Sequence, residues 1–439
     1  MARFRGTVLL IAAWLVRVVT CHADAAPAAA KTLTRWHDPV VVSTAELRSL
    51  PNHSTARFRL YRVEREQLVP IPLQFDARDD HGDVDVDGAA EFTFDDNDEL
   101  VFMAKDTGDQ RLGEPWPSDS DAVLEIAVID PLHGERGWAY LVHFSGKPPP
   151  SAAEQYVRFD RAANRARSSY YEVAYARARN FYTALRVTHE GGGTDTNLLR
   201  QTRMRGSPTL SLLFSDLTFE FTEQNSIVAI DGVRIGPVRA VRRVRLSVDL
   251  GRLFPTLPTG TVYTYHYFSS YLSPTRIGFP WIVLQTLRDF QFENVIDFDP
   301  QVMPMTYWDG ANSEGLALAA RNGARVQTDV DHDWWVHSGE AGTMLHAFEI
   351  PEQWRQWGIA RGTVLRNGRG AADGNGVQPA DPAYEAGYSL LHMTNLREAG
   401  TYNLLQAAIV LPKPYRAGDE TAPMAMLRAP LRTEVRRLR

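Results

Sequence analysis

A chain of 439 residues with 47 Lys and Arg against 53 Asp and Glu carries a net charge of −6, which gives no field for nucleic acid. Its 44% hydrophobic and 10% aromatic content is that of a folded globular protein and excludes a disordered one. A single cysteine excludes a disulfide framework, so stability must come from a large core or a bound ion.

At the amino terminus Arg3 and Arg5 precede an apolar run over 7–16, and small residues continue to Ala23-Asp24-Ala25. That order is read as a secretory signal peptide over 1–25, cleaved near Ala26, which places the chain in the periplasm or outside the cell. The run is interrupted by Arg17 and is too short to span a bilayer, and no later stretch reaches that length. Cys21 falls within the leader; Val18-Val19-Thr20-Cys21 leaves a lipoprotein anchor as an alternative.

The chain beyond residue 25 is longer than a single core usually serves. Short runs rich in Val, Ile, Tyr, Phe and Thr between turn residues predict a mainly β protein of antiparallel sandwich domains with few short helices. Strands are predicted over 56–63, 122–128, 139–144, 182–188, 217–221, 238–248, 262–268 and 404–411, with residues 100–103 returning into the first sheet. The prolines of Gly146-Lys147-Pro148-Pro149-Pro150-Ser151 predict a linker. The expected units are an N-terminal β domain over 26–146, a Pro-rich linker over 147–153, a larger sandwich over 154–411 and a solvated basic tail over 412–439. A helix is expected within 152–179, and a long surface loop over 366–384.

Between Asp76 and Asp109 lie eleven Asp and two Glu against only Arg78 and Lys105. Within this block Asp83-Val84-Asp85-Val86-Asp87-Gly88 has the spacing that wraps a loop around a hard cation, and crowded carboxylates repel unless something neutralises them. Position twelve of a helix-loop-helix hand would be Phe94, so the standard hand is excluded. The expectation is a calcium loop built on strands, with ligands Asp83, Asp85, Asp87, Asp95 and Asp98, and a structural purpose.

Two aromatic stretches carry the other candidates. Tyr263 to Phe268 alternate tyrosines with Thr264, His266 and Phe268; His266 with Tyr265 or Tyr267 is a candidate proton-transfer pair that needs a bulge or bend to meet, and Arg276 and Arg288 could hold a substrate carboxylate. In Asp331-His332-Asp333-Trp334-Trp335-Val336-His337, a strand would put Asp333, Trp335 and His337 on one face, an acid, a flat ring and an imidazole suited to a sugar surface. Core packing is the alternative for both stretches. No phosphate loop, G-x-S-x-G elbow or H-E-x-x-H helix occurs.

Pro70-Ile71-Pro72-Leu73-Gln74-Phe75-Asp76 with the acidic loop after it and then Asn97-Asp98-Glu99-Leu100-Val101-Phe102-Met103-Ala104 resembles a pattern of secreted bacterial β-rich proteins. These neighbour the rhamnogalacturonan-lyase-like and galactose-mutarotase-like sandwiches, and Gly236-Pro237-Val238-Arg239-Ala240-Val241 is similar to a strand entry of the mutarotase-like group. The resemblance implies contact with carbohydrate and no mechanism. The expectation is thus an exported, calcium-stabilised β-sandwich protein that binds or processes a polysaccharide, lyase-like if it is an enzyme. A non-enzymatic structural or partner-binding envelope protein is the alternative.

Overall fold

The computed structural model describes residues 28–50, 54–111, 113, 115–179, 181–211, 215–249, 257–318, 324–328, 332–368, 383–391 and 393–439. The signal-peptide reading and most of the 366–384 loop lie outside them. The chain is mainly β and its sheets are antiparallel, as the alternating runs predict. Among the described residues no helix is long and apolar enough to cross a membrane.

The first unit is a sandwich. Its smaller sheet runs Pro39–Ser43, Glu99–Met103, Gln74–Asp76; its larger one runs Arg432–Arg437, Ser120–Ile129, Arg136–Phe144, Phe58–Glu64, Gln67–Ile71. Val40, Val42, Leu100 and Phe102 from one sheet meet Phe58, Leu60, Leu124, Ile126 and Leu141 from the other. A second cluster that includes Trp116, Trp138 and Tyr140 covers the opposite face, which is why Ser120–Ile129 reads as a nearly unbroken apolar run. The expected basic tail is not a solvated arm. Thr421–Arg428 is helical, and Arg432–Arg437 pairs with Ser120–Ile129, so the end of the chain completes the first unit.

The second unit packs a seven-stranded sheet against a nine-stranded one. The central strands of the first are Leu199–Ser211, Leu287–Phe298, Ala383–Leu391 and Ala360–Gly368; those of the second are Ala240–Val248, Leu257–His266, Ser270–Phe279 and Gly400–Val410. The helix expected within 152–179 is replaced by three strands, Val157–Asp160, Arg165–Ser168 and Tyr171–Tyr175, which join Tyr182–Val187 in a four-stranded meander. Their alternating burial delivers Val157, Phe159, Tyr171 and Val173 to the main core, a period-two pattern that the charged residues between them obscure.

Candidate functional site

The acidic block of the first unit lies on a basic stripe of the second. Val84 and Val86 are buried against Val241 and Tyr263, while Asp85 and Asp87 on the other face of the alternation stay exposed. Contact at this seam is close: a Cβ on Gly232 would lie 2.7 Å from Val86 and 2.6 Å from Asp87. Asp83 faces Arg276 at 2.9 Å and Arg243 at 3.7 Å. Arg234 donates to the carbonyls of Gly88 and Ala89 at 3.0 and 2.6 Å. Deeper in the seam, Arg239 donates to Asp76 at 2.8 Å, Glu99 at 2.7 Å and the Tyr267 hydroxyl at 3.0 Å.

Four of the five expected calcium ligands, all but Asp87, are engaged elsewhere. Asp85 accepts the Asp87 amide at 3.2 Å, and Asp95 accepts that of Asn97 at 3.1 Å. Asp98 accepts the amides of Arg78 and Asp95, each at 2.8 Å, and Asp83 faces two guanidinium groups. Among the described residues no three His, Cys, Asp or Glu side chains are grouped to hold a metal, so this donor set, as placed, does not fit the ion. For Asp83 the neutralising charge comes from arginines on the neighbouring unit, as it does for Asp76 and Glu99 through Arg239.

The histidine and tryptophan candidates are inside the fold. His266 is fully buried, bracketed by the Tyr171 hydroxyl 3.1 Å from Nδ1 and the Tyr175 hydroxyl 3.0 Å from Nε2, and burial pushes its pKa down to about 3. Tyr265 points the other way, its ring 4.8 Å from the guanidinium of Arg239, so the two do not pair. His337 is fully buried near Phe298 and Trp335, and burial pushes it down to about 3 as well. Trp335 stacks on His346 with ring centroids 4.0 Å apart. Asp333 precedes that strand and accepts from Arg361 at 3.2 Å and from Arg428. Arg276 holds Asp83 on the nine-stranded sheet, whereas Arg288 is exposed on the seven-stranded sheet. Among the described residues these seven side chains do not converge on one surface.

A concave feature lies instead between the two large sheets, a cavity of about 350 Å3. Strand registry explains its lining. Arg242 is opposite Thr264, and Ser273 is opposite Gln406, with the Ser273 hydroxyl 3.4 Å from that of Thr264; these four form one polar row across the nine-stranded sheet. On the facing sheet Asn294 is opposite Tyr388 and donates to its hydroxyl at 3.0 Å, and Gln406 reaches across to donate to the same oxygen. Beyond this belt, the lining turns apolar through Leu246, Ile277, Leu404, Phe290 and Phe292. Arg242, Thr264 and Ser273 are buried while Asn294, Tyr388 and Gln406, like Ile277, Phe279, Phe290 and Leu210, are partly exposed, so the Arg242 side of the polar belt is the closed end of the cavity. Trp281, 64% exposed, comes after Pro280 of the lining.

Arg242 is absent from the residues that motif and spacing single out. Its signal is nonetheless present: Ala240, Arg242, Val244, Leu246 and Val248 share one face of a strand, and Arg242 is the one charge among apolar residues.

No protein-family model and no curated protein matches the chain. Among solved structures it is similar to an alpha-mannosidase from Enterococcus faecalis V583, at 9% identity and a TM-score of 0.44, over 94% of this chain and 46% of that one. It is likewise similar to a protein in glycosyl hydrolase family 38 from Enterococcus faecalis, at 8% identity and a TM-score of 0.45, over 94% of this chain and 47% of that one. The chain spans less than half the length of either.

Proposed function

We propose that this is an exported ligand-binding protein whose ligand sits between the two large sheets, and that its role is binding rather than catalysis. One observation carries the reading: about 350 Å3 of space in the middle of a sandwich, with an apolar wall and a few convergent polar groups at one end. Sandwich interiors are normally filled by interdigitating side chains, and open space of this size with that division of polarity is characteristic of a small-molecule site.

The carbohydrate reading keeps one specific support. Asn294, Gln406 and Tyr388 offer amide and hydroxyl groups beside Phe292, and a sugar presents hydroxyl edges and an apolar face to such a wall. A cavity of this volume takes one small molecule or a short oligosaccharide, so the polysaccharide expected from the sequence would be met through a fragment or a chain end. Export is carried as part of the proposal from the leader sequence; the mass of the secreted chain tests it.

Thermal-shift screening against short oligosaccharides and against alkyl-chain compounds separates the two ligand classes. The expected result is a rise in melting temperature with alkyl-chain compounds, absent from Leu404→Trp, which fills the cavity. A shift with oligosaccharides alone would favour the carbohydrate reading, and equal shifts in the wild type and Leu404→Trp would place the ligand elsewhere.

A further inference from the structure

Five arginines are buried among the described residues. Arg35 faces Asp38 and Asp130, Arg234 and Arg239 share Asp76, and Arg361 lies between Asp333 and Glu349. Arg242 departs from this pattern. It is 3% exposed, and among the described residues no carboxylate pairs with it. Its Nε donates to Asn164 Oδ1 at 3.1 Å, and its guanidinium lies 4.4 Å from the centre of the Tyr175 ring. Its two terminal nitrogens have no hydrogen-bond partner among the described residues, and the side chain forms part of the cavity wall.

A buried cation without a counterion is costly, and proteins that retain one generally supply the opposite charge from elsewhere. Here the surroundings fix the group rather than neutralise it. Asn164 sits in the left-handed region at φ 49° and donates through Nδ2 to the carbonyls of Tyr175 and Ala176 at 3.3 and 3.1 Å, which aims its oxygen at Arg242. With Nε occupied, the terminal nitrogens are left for a ligand. A forked pair of N–H donors matches the two oxygens of a carboxylate, and Thr264 next to it on the polar row adds a hydroxyl.

We propose that the cavity takes an amphipathic anion, a long-chain carboxylate, whose head group is held by Arg242 at the closed end and whose chain runs out along Leu404, Phe292 and Phe290. This rests on the cavity being the ligand site. Burial, which holds the guanidinium pKa below its ordinary value, makes an arriving anion the more favourable partner, since the desolvation cost is already met in the free protein.

The test is calorimetric titration of the full chain with palmitate and with hexadecanol, which share a chain and differ in charge. The wild type should bind palmitate, Arg242→Gln should bind it at least about tenfold more weakly, the loss of charge-assisted hydrogen bonds, and hexadecanol should bind both proteins alike. That last binding also shows that Arg242→Gln is folded. Hexadecyl phosphate is titrated in parallel: weaker binding than palmitate supports the carboxylate head, and tighter binding overturns that choice. Equal palmitate affinity in the wild type and Arg242→Gln overturns the role of Arg242 while leaving the cavity as a ligand site. Binding of none of the three compounds would overturn the amphipathic anion, and the oligosaccharide screen then decides whether the cavity is a ligand site.

Discussion

The buried titratable side chains divide by how their charge is handled. Arg239 is neutralised by Asp76 and Glu99, His266 and His337 are kept neutral, and Arg242 retains a charge that nothing in the described fold opposes. From the last comes a stability prediction separate from ligand binding: in ligand-free protein, Arg242→Met should raise the melting temperature, because an apolar side chain of similar length removes a desolvation cost. Scanning calorimetry checks it, and a fall would mean that the guanidinium is already satisfied. The histidines give a pH dependence of definite sign. Burial lowers the pKa of His266 and His337 to about 3 in the folded protein, so below the ordinary value of 6.5 the unfolded chain binds protons that the native one does not. Their contribution is complete above pH 6.5 and is lost as pH falls towards 3, at about 1.4 kcal/mol per pH unit for each histidine. Denaturant titrations between about pH 7 and 4 should show that slope, and His266→Gln should flatten it; a slope unchanged by the substitution would mean that the imidazole is hydrated.

Among the elements, the acidic loop is the one whose sequence supports two readings. Asp-Val-Asp-Val-Asp supports a cation loop and an amphipathic extended segment equally well, because both put carboxylates on alternate residues. The valines distinguish them: an ion loop has no use for two apolar side chains on its other face, whereas Val84 and Val86 are what the second unit buries. The loop should therefore depend on its apolar side. Val84→Ala is expected to cost about 1.5 kcal/mol, the equivalent of two buried methylenes, while Asp85→Ala, at an exposed position, leaves the melting temperature unchanged. A chelator should have no effect on either protein. Melting that falls with chelator in the wild type but not in Asp85→Ala would restore the ion.

For the whole molecule, the β class and the positions of most strands are legible in the sequence because half-buried strands write a period of two into it. The strands predicted over 122–128 and 404–411 lie within Ser120–Ile129 and, but for the last residue, Gly400–Val410. Long-range pairing is not written that way. The Arg-rich end of the chain reads as a solvated tail because its strand, Arg432–Arg437, presents mostly exposed residues; Leu431 and Val435 pack on the inner cluster of the first unit and Leu438 on its second cluster. Its worth lies in backbone hydrogen bonds to Ser120–Ile129, which side-chain pattern does not reveal. Truncation after Ala429 should leave that strand as an edge, and hydrogen exchange in 120–129 should accelerate while exchange in 400–410 does not. The candidate site is legible only as a lone arginine on an apolar strand face, since the cavity is a property of two sheets brought together from residues far apart in the chain. The most direct measurement of the central claim is native mass spectrometry of the full chain equilibrated with palmitate. One bound molecule on the wild type and none on Leu404→Trp is the predicted result, and the same occupancy on both proteins would contradict it.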